Sequence, residues 1–166
     1  MPIDEKTFTE TYDRYAPKIF KFCYFRVSSR EHAEDIAAQV FLRAWDHLVT
    51  KNDVVNMQAF LYRIAANLVI DFYRKNKENL EVSLDDVIQQ IEIHDAHDVA
   101  EGVDVKRMIG EVQTKLQKIP DTYREVIIMK YVNDLSIKEI AEIMDTSENN
   151  ISVRLHRALE KLHQLL

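Results

Sequence analysis

The chain has 166 residues, 46% of them hydrophobic, a formal net charge of −6 and a single cysteine. That length suits one ordinary domain or two small ones, and the apolar share is enough to build real cores. Cys23 alone excludes an internal disulfide framework, MPIDEKTFTE shows no signal-peptide pattern, and no stretch nears the ~18–20 apolar residues of a membrane span, so a cytoplasmic chain without membrane insertion is expected.

Two glycines and three prolines leave long unbroken stretches, which favours an all-α fold. The first block, 5–79, reads as three or four helices. Phe8, Tyr12 and Tyr15 recur at helical spacing, and Pro17 suits the first turn of a following helix. Ser28 with Glu31 gives a capping-box signal for a helix running through AEDIAAQVFLRAWDHL, with Ile36, Val40, Phe41 and Ala44 on one face. A polar segment, TKNDVVNMQ, leads to AFLYRIAANLVIDFYRKN, where Phe60, Ile64, Leu68 and Phe72 form a stripe and Arg74, Lys75 and Lys77 make a basic end. Phe41 is assigned to the core, Trp45 is open between core and stacking platform, and Tyr62 and Tyr73 are candidates for partial exposure near DNA.

Residues 80–105 hold eight acids and no Lys or Arg, and read as an acidic linker. Ser83 with Asp86 could cap a short helix there. His94, Asp95, His97 and Asp98 have the donor atoms of a metal site but no preformed geometry, so a solvated segment is expected and neither metal nor cofactor is assigned.

The last block, 106–166, is helical again. Pro120 ends one helix and Asp121 can cap the next, TYREVIIMKYV. Asn133-Asp134 makes a turn, Ser136 with Glu139 forms a capping box, and Asp145-Thr146-Ser147 joins two short helical patterns, with Ser147 as a cap. Ile137, Ile140, Ala141 and Met144 from the first helix, and Ile151, Leu155, Ala158, Leu159 and Leu162 from the second, would face the core. That leaves Glu148, Asn149, Asn150, Ser152, Val153, Arg154 and Arg157 outward, with Ser147 at the helix start. Two helices joined by a tight turn, the second bearing Asn and Arg, are the layout of a DNA-reading helix-turn-helix. Asn can pair with adenine, Arg with guanine, an acid can accept from cytosine, and Val153 can meet a thymine methyl. Cys23, among apolar neighbours, reads as a buried structural thiol. No Gly-rich phosphate loop or catalytic motif is present, so no catalytic residue is assigned and the chain is not expected to be an enzyme.

The segment IPDTYREVIIMKYVNDLSIKEIAEIMDTSENNISVRLHRALEKL resembles region 4 of bacterial sigma factors of the extracytoplasmic-function type. FTETYDRYAPKIFKFC resembles their region 2.1, AEDIAAQVFLRAW their region 2.2, and AFLYRIAANLVIDFYRK their regions 2.3 and 2.4. The resemblance implies two small helical domains joined by the linker, and a factor that binds core RNA polymerase and directs initiation at promoter DNA. It further implies polymerase docking by Asp35, Gln39, Leu42 and Arg43. Melted minus-ten DNA would meet Lys51, Asn52, Asn56, Asn67, Arg74 and Lys75. Minus-thirty-five duplex would meet the helix from Ser147 to Arg157, and an anti-sigma factor would be the inhibitory partner. Departures stand at Ala38-Gln39, where relatives usually carry Gln-Glu, at Lys51, often aromatic, and at Ser152-Val153. Two other readings remain: a self-sufficient helix-turn-helix regulator, and an interaction module that titrates polymerase without reading DNA.

Overall fold

A computed structural model describes residues 2–76 and 102–165, with backbone alone for residues 102–106, 108 and 109. The expected Ser83 cap and the His94–Asp98 cluster lie outside the described residues. Among the described residues the fold is helical, with no strand. The first block contributes three helices: α1 (Glu5–Val27), α2 (Arg30–Thr50) and α3 (Met57–Lys75).

Pro17 lies inside α1 and does not open a new helix. It removes one backbone hydrogen bond. The helix continues because its later turns bury Ile19, Phe22, Cys23, Tyr24 and Val27. At its end Ser28 turns left-handed, with φ 57°, and its N–H donates to the Tyr24 carbonyl. A residue so used cannot cap the next helix, which needs extended backbone. The cap of α2 is therefore the neighbouring Ser29, whose hydroxyl accepts from the His32 N–H. On α3 the buried residues are Ala59, Leu61, Tyr62, Ala65, Leu68 and Val69, while Phe60, Ile64 and Phe72 are half-buried. The apolar stripe seen in the sequence thus marks a shoulder of the core, whose centre is one face over.

The last block holds α4 (Gly102–Leu116), α5 (Asp121–Ile127), a π-helical turn (Ile128–Val132), α6 (Ile137–Met144) and α7 (Glu148–Leu165). Asp121 is the first residue of α5 and caps nothing, because its carboxylate is taken by Arg26 of α1 at 2.6 Å. The π turn ends with the Asn133 N–H bonded to the Ile128 carbonyl, and Asp134 follows with φ 55°. Both halves of the Ser136–Glu139 capping box form. The bond to the Ser136 backbone N–H holds the Glu139 carboxyl below its ordinary value.

The two blocks are packed together across one continuous apolar core. At its centre lies Arg26, fully buried on α1, donating to Asp121 and, at 3.1 Å, to Glu125. Burial opposes the charge of Arg26, but the two carboxylates outweigh it and its pKa is raised. Buried Gln113 of α4 donates to the Phe25 carbonyl at 3.0 Å and to the Ser28 hydroxyl at 2.7 Å. Asn133 donates to the Lys18 carbonyl at 2.9 Å. Arg124 closes the end of α4 through the Leu116 and Ile119 carbonyls, and its third arm reaches the Tyr73 hydroxyl at 2.8 Å. Tyr73 in turn donates to the Arg26 carbonyl. Tyr62 is fully buried, and burial pushes its hydroxyl pKa up. Tyr62 therefore serves the core, against the expectation of partial exposure, whereas Tyr73 is half-buried, with its hydroxyl tied to Arg26 and Arg124.

Cys23 is buried, and desolvation pushes its thiol up to about 12, which fits the structural role read from the sequence. Phe41 is in the core, edge-on to Tyr12 with centroids 4.8 Å apart. Trp45 is half-buried and packs edge-on against Phe8 at 4.9 Å.

Candidate nucleic-acid interface

Three exposed surfaces carry the residues singled out from the sequence. The first is the outer face of α7. The turn before it is set by Asp145, left-handed at φ 53°, and by Ser147, whose hydroxyl accepts from the Asn150 N–H at 3.1 Å. Ile151, Leu155 and Ala158 are buried, so Glu148, Asn149, Asn150, Ser152, Val153 and Arg157 stand outward. Two details differ from expectation. Leu159 is 36% exposed, whereas Leu162, three residues further on, is half-buried against the core. Arg154 is half-buried, with its guanidinium beside the Met144 sulfur at 3.8 Å. Asn150 turns back to Thr146, donating to its hydroxyl at 2.9 Å.

The second surface is the loop 51–56 with the exposed stripe of α3. His47 anchors its start: its carbonyl accepts from the Lys51 N–H, and its ring meets the Asp53 carboxylate at 2.8 Å while leaning on Phe60. The His47 hydrogen bond holds the Asp53 carboxyl below its ordinary value. Val54 tucks against the core and Asn56 caps α3 by accepting from the Ala59 N–H at 3.1 Å. Lys51, Asn52 and Asn56 are exposed, and Val55 is completely so at the tip. Along α3, Arg63, Asn67 and Arg74 project on one side, spaced by one and two turns, with Lys75 exposed at the end.

The third surface is α2, where Asp35, Gln39, Leu42 and Arg43 are all exposed, Leu42 at 63%. Beside them Tyr12, Ala16, Pro17 and Phe20 of α1 and Ala38 and Phe41 of α2 line a groove of about 350 Å³. Val55, Arg63 and this groove were not singled out from the sequence. An apolar residue in a polar loop was the available signal for Val55. The place of α2 surface residues relative to α1 had no local signal.

The second surface is brought against the helix-turn-helix. Arg63 donates its Nε to the Ile143 carbonyl at 3.0 Å and an Nη to the Glu142 carbonyl, at the end of α6. Asn56 donates to the Glu142 carboxylate. Between them lies an open cleft of about 950 Å³ that runs from Val55 to Ser147. The α2 surface is not part of this junction. No group of metal-ligating side chains occurs among the described residues, and none of their helices is long and apolar enough to cross a membrane.

Residues 11–79 match the family pattern described as sigma-70 region 2, and residues 109–162 match sigma-70 region 4. The chain belongs to the sigma-70 family. It is 32% identical to the extracytoplasmic-function RNA polymerase sigma factor SigW of Bacillus subtilis, over 98% of this chain and 90% of that one. It is 30% identical to SigM of the same organism, over 96% and 94%. The fold is shared with CnrH, solved in complex with the cytosolic domain of CnrY (TM-score 0.72, 20% identity, covering 98% of this chain and 88% of that one). It is shared also with RpoE of Bartonella quintana, solved with the anti-sigma factor NepR (TM-score 0.70, 21% identity, covering 96% of each). This sigma factor binds core RNA polymerase and directs promoter-specific initiation of transcription, as its family does. That excludes, as the main reading, both the stand-alone regulator and the titrating module.

Proposed function

We propose a division of labour among the three surfaces. The outer face of α7 reads the minus-thirty-five duplex: Asn149, Asn150, Arg154 and Arg157 offer donors to base edges, Glu148 an acceptor, and Val153 a methyl contact, while Ser147 and the helix start hold phosphate. The loop bearing Lys51, Asn52 and Asn56, with Asn67, Arg74 and Lys75 on α3, holds the melted minus-ten strand. Asp35, Gln39, Leu42 and Arg43 dock on polymerase. The observation that carries this reading is the stiffening of loop 51–56 by His47, Val54 and Asn56, which leaves Val55 bare in solvent. A pre-shaped, exposed loop suits capture of an unstacked base, a step that costs a few kcal/mol and gains from any ordering done in advance.

Region boundaries at 79 and 106, with an acidic linker between them, belong to the same proposal, as does the absence of catalytic chemistry. An anti-sigma factor is the partner class suggested by the complex of Bartonella RpoE with NepR. The test is run-off transcription by reconstituted holoenzyme on selected promoters. Leu42→Ala should weaken assembly with core. Asn67→Ala should leave assembly intact and impair strand opening. Arg157→Ala should relax choice among minus-thirty-five sequences, at ~1–3 kcal/mol per lost base contact. If all three variants lose activity through the same step, the division is wrong.

A further inference from the structure

We propose that His47 is a positioning residue for strand capture: through Asp53 it fixes loop 51–56 and keeps that carboxylate turned onto α2. This inference rests on the minus-ten reading of loop 51–56 and α3 given above.

The loop carries an acid where a polyanion is to be held. Asp53 stands between Asn52 and Val54, and the hydrogen bond from His47 keeps its carboxyl in the ionised form. A carboxylate left free there would repel phosphodiester groups. It would also compete for the donors that a strand needs, on Lys51, Asn52 and Asn56. The His47 ring meets it through Nε2 at 2.8 Å and occupies one of its oxygens.

The ring is not free to follow the loop. It leans on Phe60 of α3, with centroids 5.2 Å apart. The His47 carbonyl accepts from the Lys51 N–H at 2.7 Å. Leu48, the next residue, is fully buried, and its carbonyl accepts from the Ile3 N–H at 3.2 Å, which ties the end of α2 to the N-terminal segment. His47 therefore reaches the acid of the loop from a fixed base. Val54 and Asn56 hold the second half of the loop, and the His47–Asp53 clasp holds the first. Val55 stands bare between the two. A loop ordered before binding loses less freedom when a base enters it. The two side chains are 40% and 62% exposed, and so open a pair contributes little to folding. Its effect falls on strand opening, the step that needs the shape of the loop.

The test uses holoenzyme on a selected promoter that carries thymines in its minus-ten element. Affinity of the closed complex is measured in the cold, and opening is followed by the rate at which those thymines become reactive to permanganate. His47→Ala should slow opening about tenfold, with closed-complex affinity and the melting temperature of the factor unchanged. His47→Gln keeps a side-chain N–H and should recover most of the rate. Asp53→Ala, at an exposed loop position, should also slow opening, and the double variant should be no slower than His47→Ala alone, since each removes the same pair. Normal opening in His47→Ala or in Asp53→Ala overturns the proposal. So does a glutamine that recovers nothing, a double variant whose losses multiply, or a loss that appears in closed-complex affinity. Asn67→Ala separates the underlying reading: if it too leaves opening unchanged, the minus-ten assignment itself falls. If it slows opening while His47→Ala and Asp53→Ala do not, only the present inference does.

Discussion

Arg26 and Arg63 both leave region 2 to meet acceptors in region 4, and their surroundings differ in almost every respect. Arg26 is sealed from solvent among Phe22, Asp121, Glu125 and the Tyr73–Arg124 pair. Arg63 lies at the surface, and its acceptors are carbonyls at a helix end. A buried charge that loses its partner has nowhere to recover the lost solvation, whereas an exposed one rehydrates. The same type of side chain thus makes a weld at one place and a catch at the other. Tight packing of the two halves does not by itself say which of their contacts can be exchanged.

The sharpest way to break this contrast is Arg26→Ala. It strands Glu125, whose carboxyl burial already pushes upward against the pull of Arg26, and should cost about 3 kcal/mol or more in urea unfolding. A loss below about 1 kcal/mol would show that water reaches the site and that no weld exists. Gln113→Ala comes next, removing the bonds to Phe25 and Ser28 from the buried seam, at about 1–2 kcal/mol. Arg63→Ala should shift the same unfolding curve by less than about 1 kcal/mol, whatever it does to DNA binding. Smallest is Glu139→Gln, on the exposed side of the junction. The Glu139 pKa is lowered in the folded chain, so its contribution is present above the ordinary value of 4.5 and is lost as pH falls through the folded one. The variant should lose a few tenths of a kcal/mol at neutral pH, and the difference from wild type should vanish in acid. Thermal melts at pH 7 and pH 3 would measure it.

What the sequence revealed and what it hid follow from range. The helix-turn-helix was legible almost residue by residue, since the Ser136–Glu139 box, left-handed Asp145 and the Ser147 cap all act within three or four positions. Adjacent serines at the end of α1 defeated the same reasoning. Ser28 and Ser29 offer identical hydroxyls, and only the backbone turn at Ser28 assigns the cap to Ser29. Pro17 looked like a helix start because its local cost is visible and the burial offsetting it, later in α1, belongs to tertiary packing. Tyr62 and Tyr73 carry polar tips that suit DNA or core equally well. Burial decides for the core at Tyr62, and Arg26 and Arg124 tie down Tyr73, neither arginine lying near it in sequence. Arg63 falls in the same class: its acceptor at Ile143 is 80 positions away.

The central weld also has a timing. Arg26 meets Asp121 across 95 residues, and the chain is made from its N-terminus. At ~5–20 residues per second, α1 waits about 5–20 s on the ribosome before the acids that neutralise Arg26 exist. During that interval a cation and the apolar seam beside it stand open to water. Whatever first covers this surface during synthesis, chaperone or polymerase, meets region 2 before region 4 has been made.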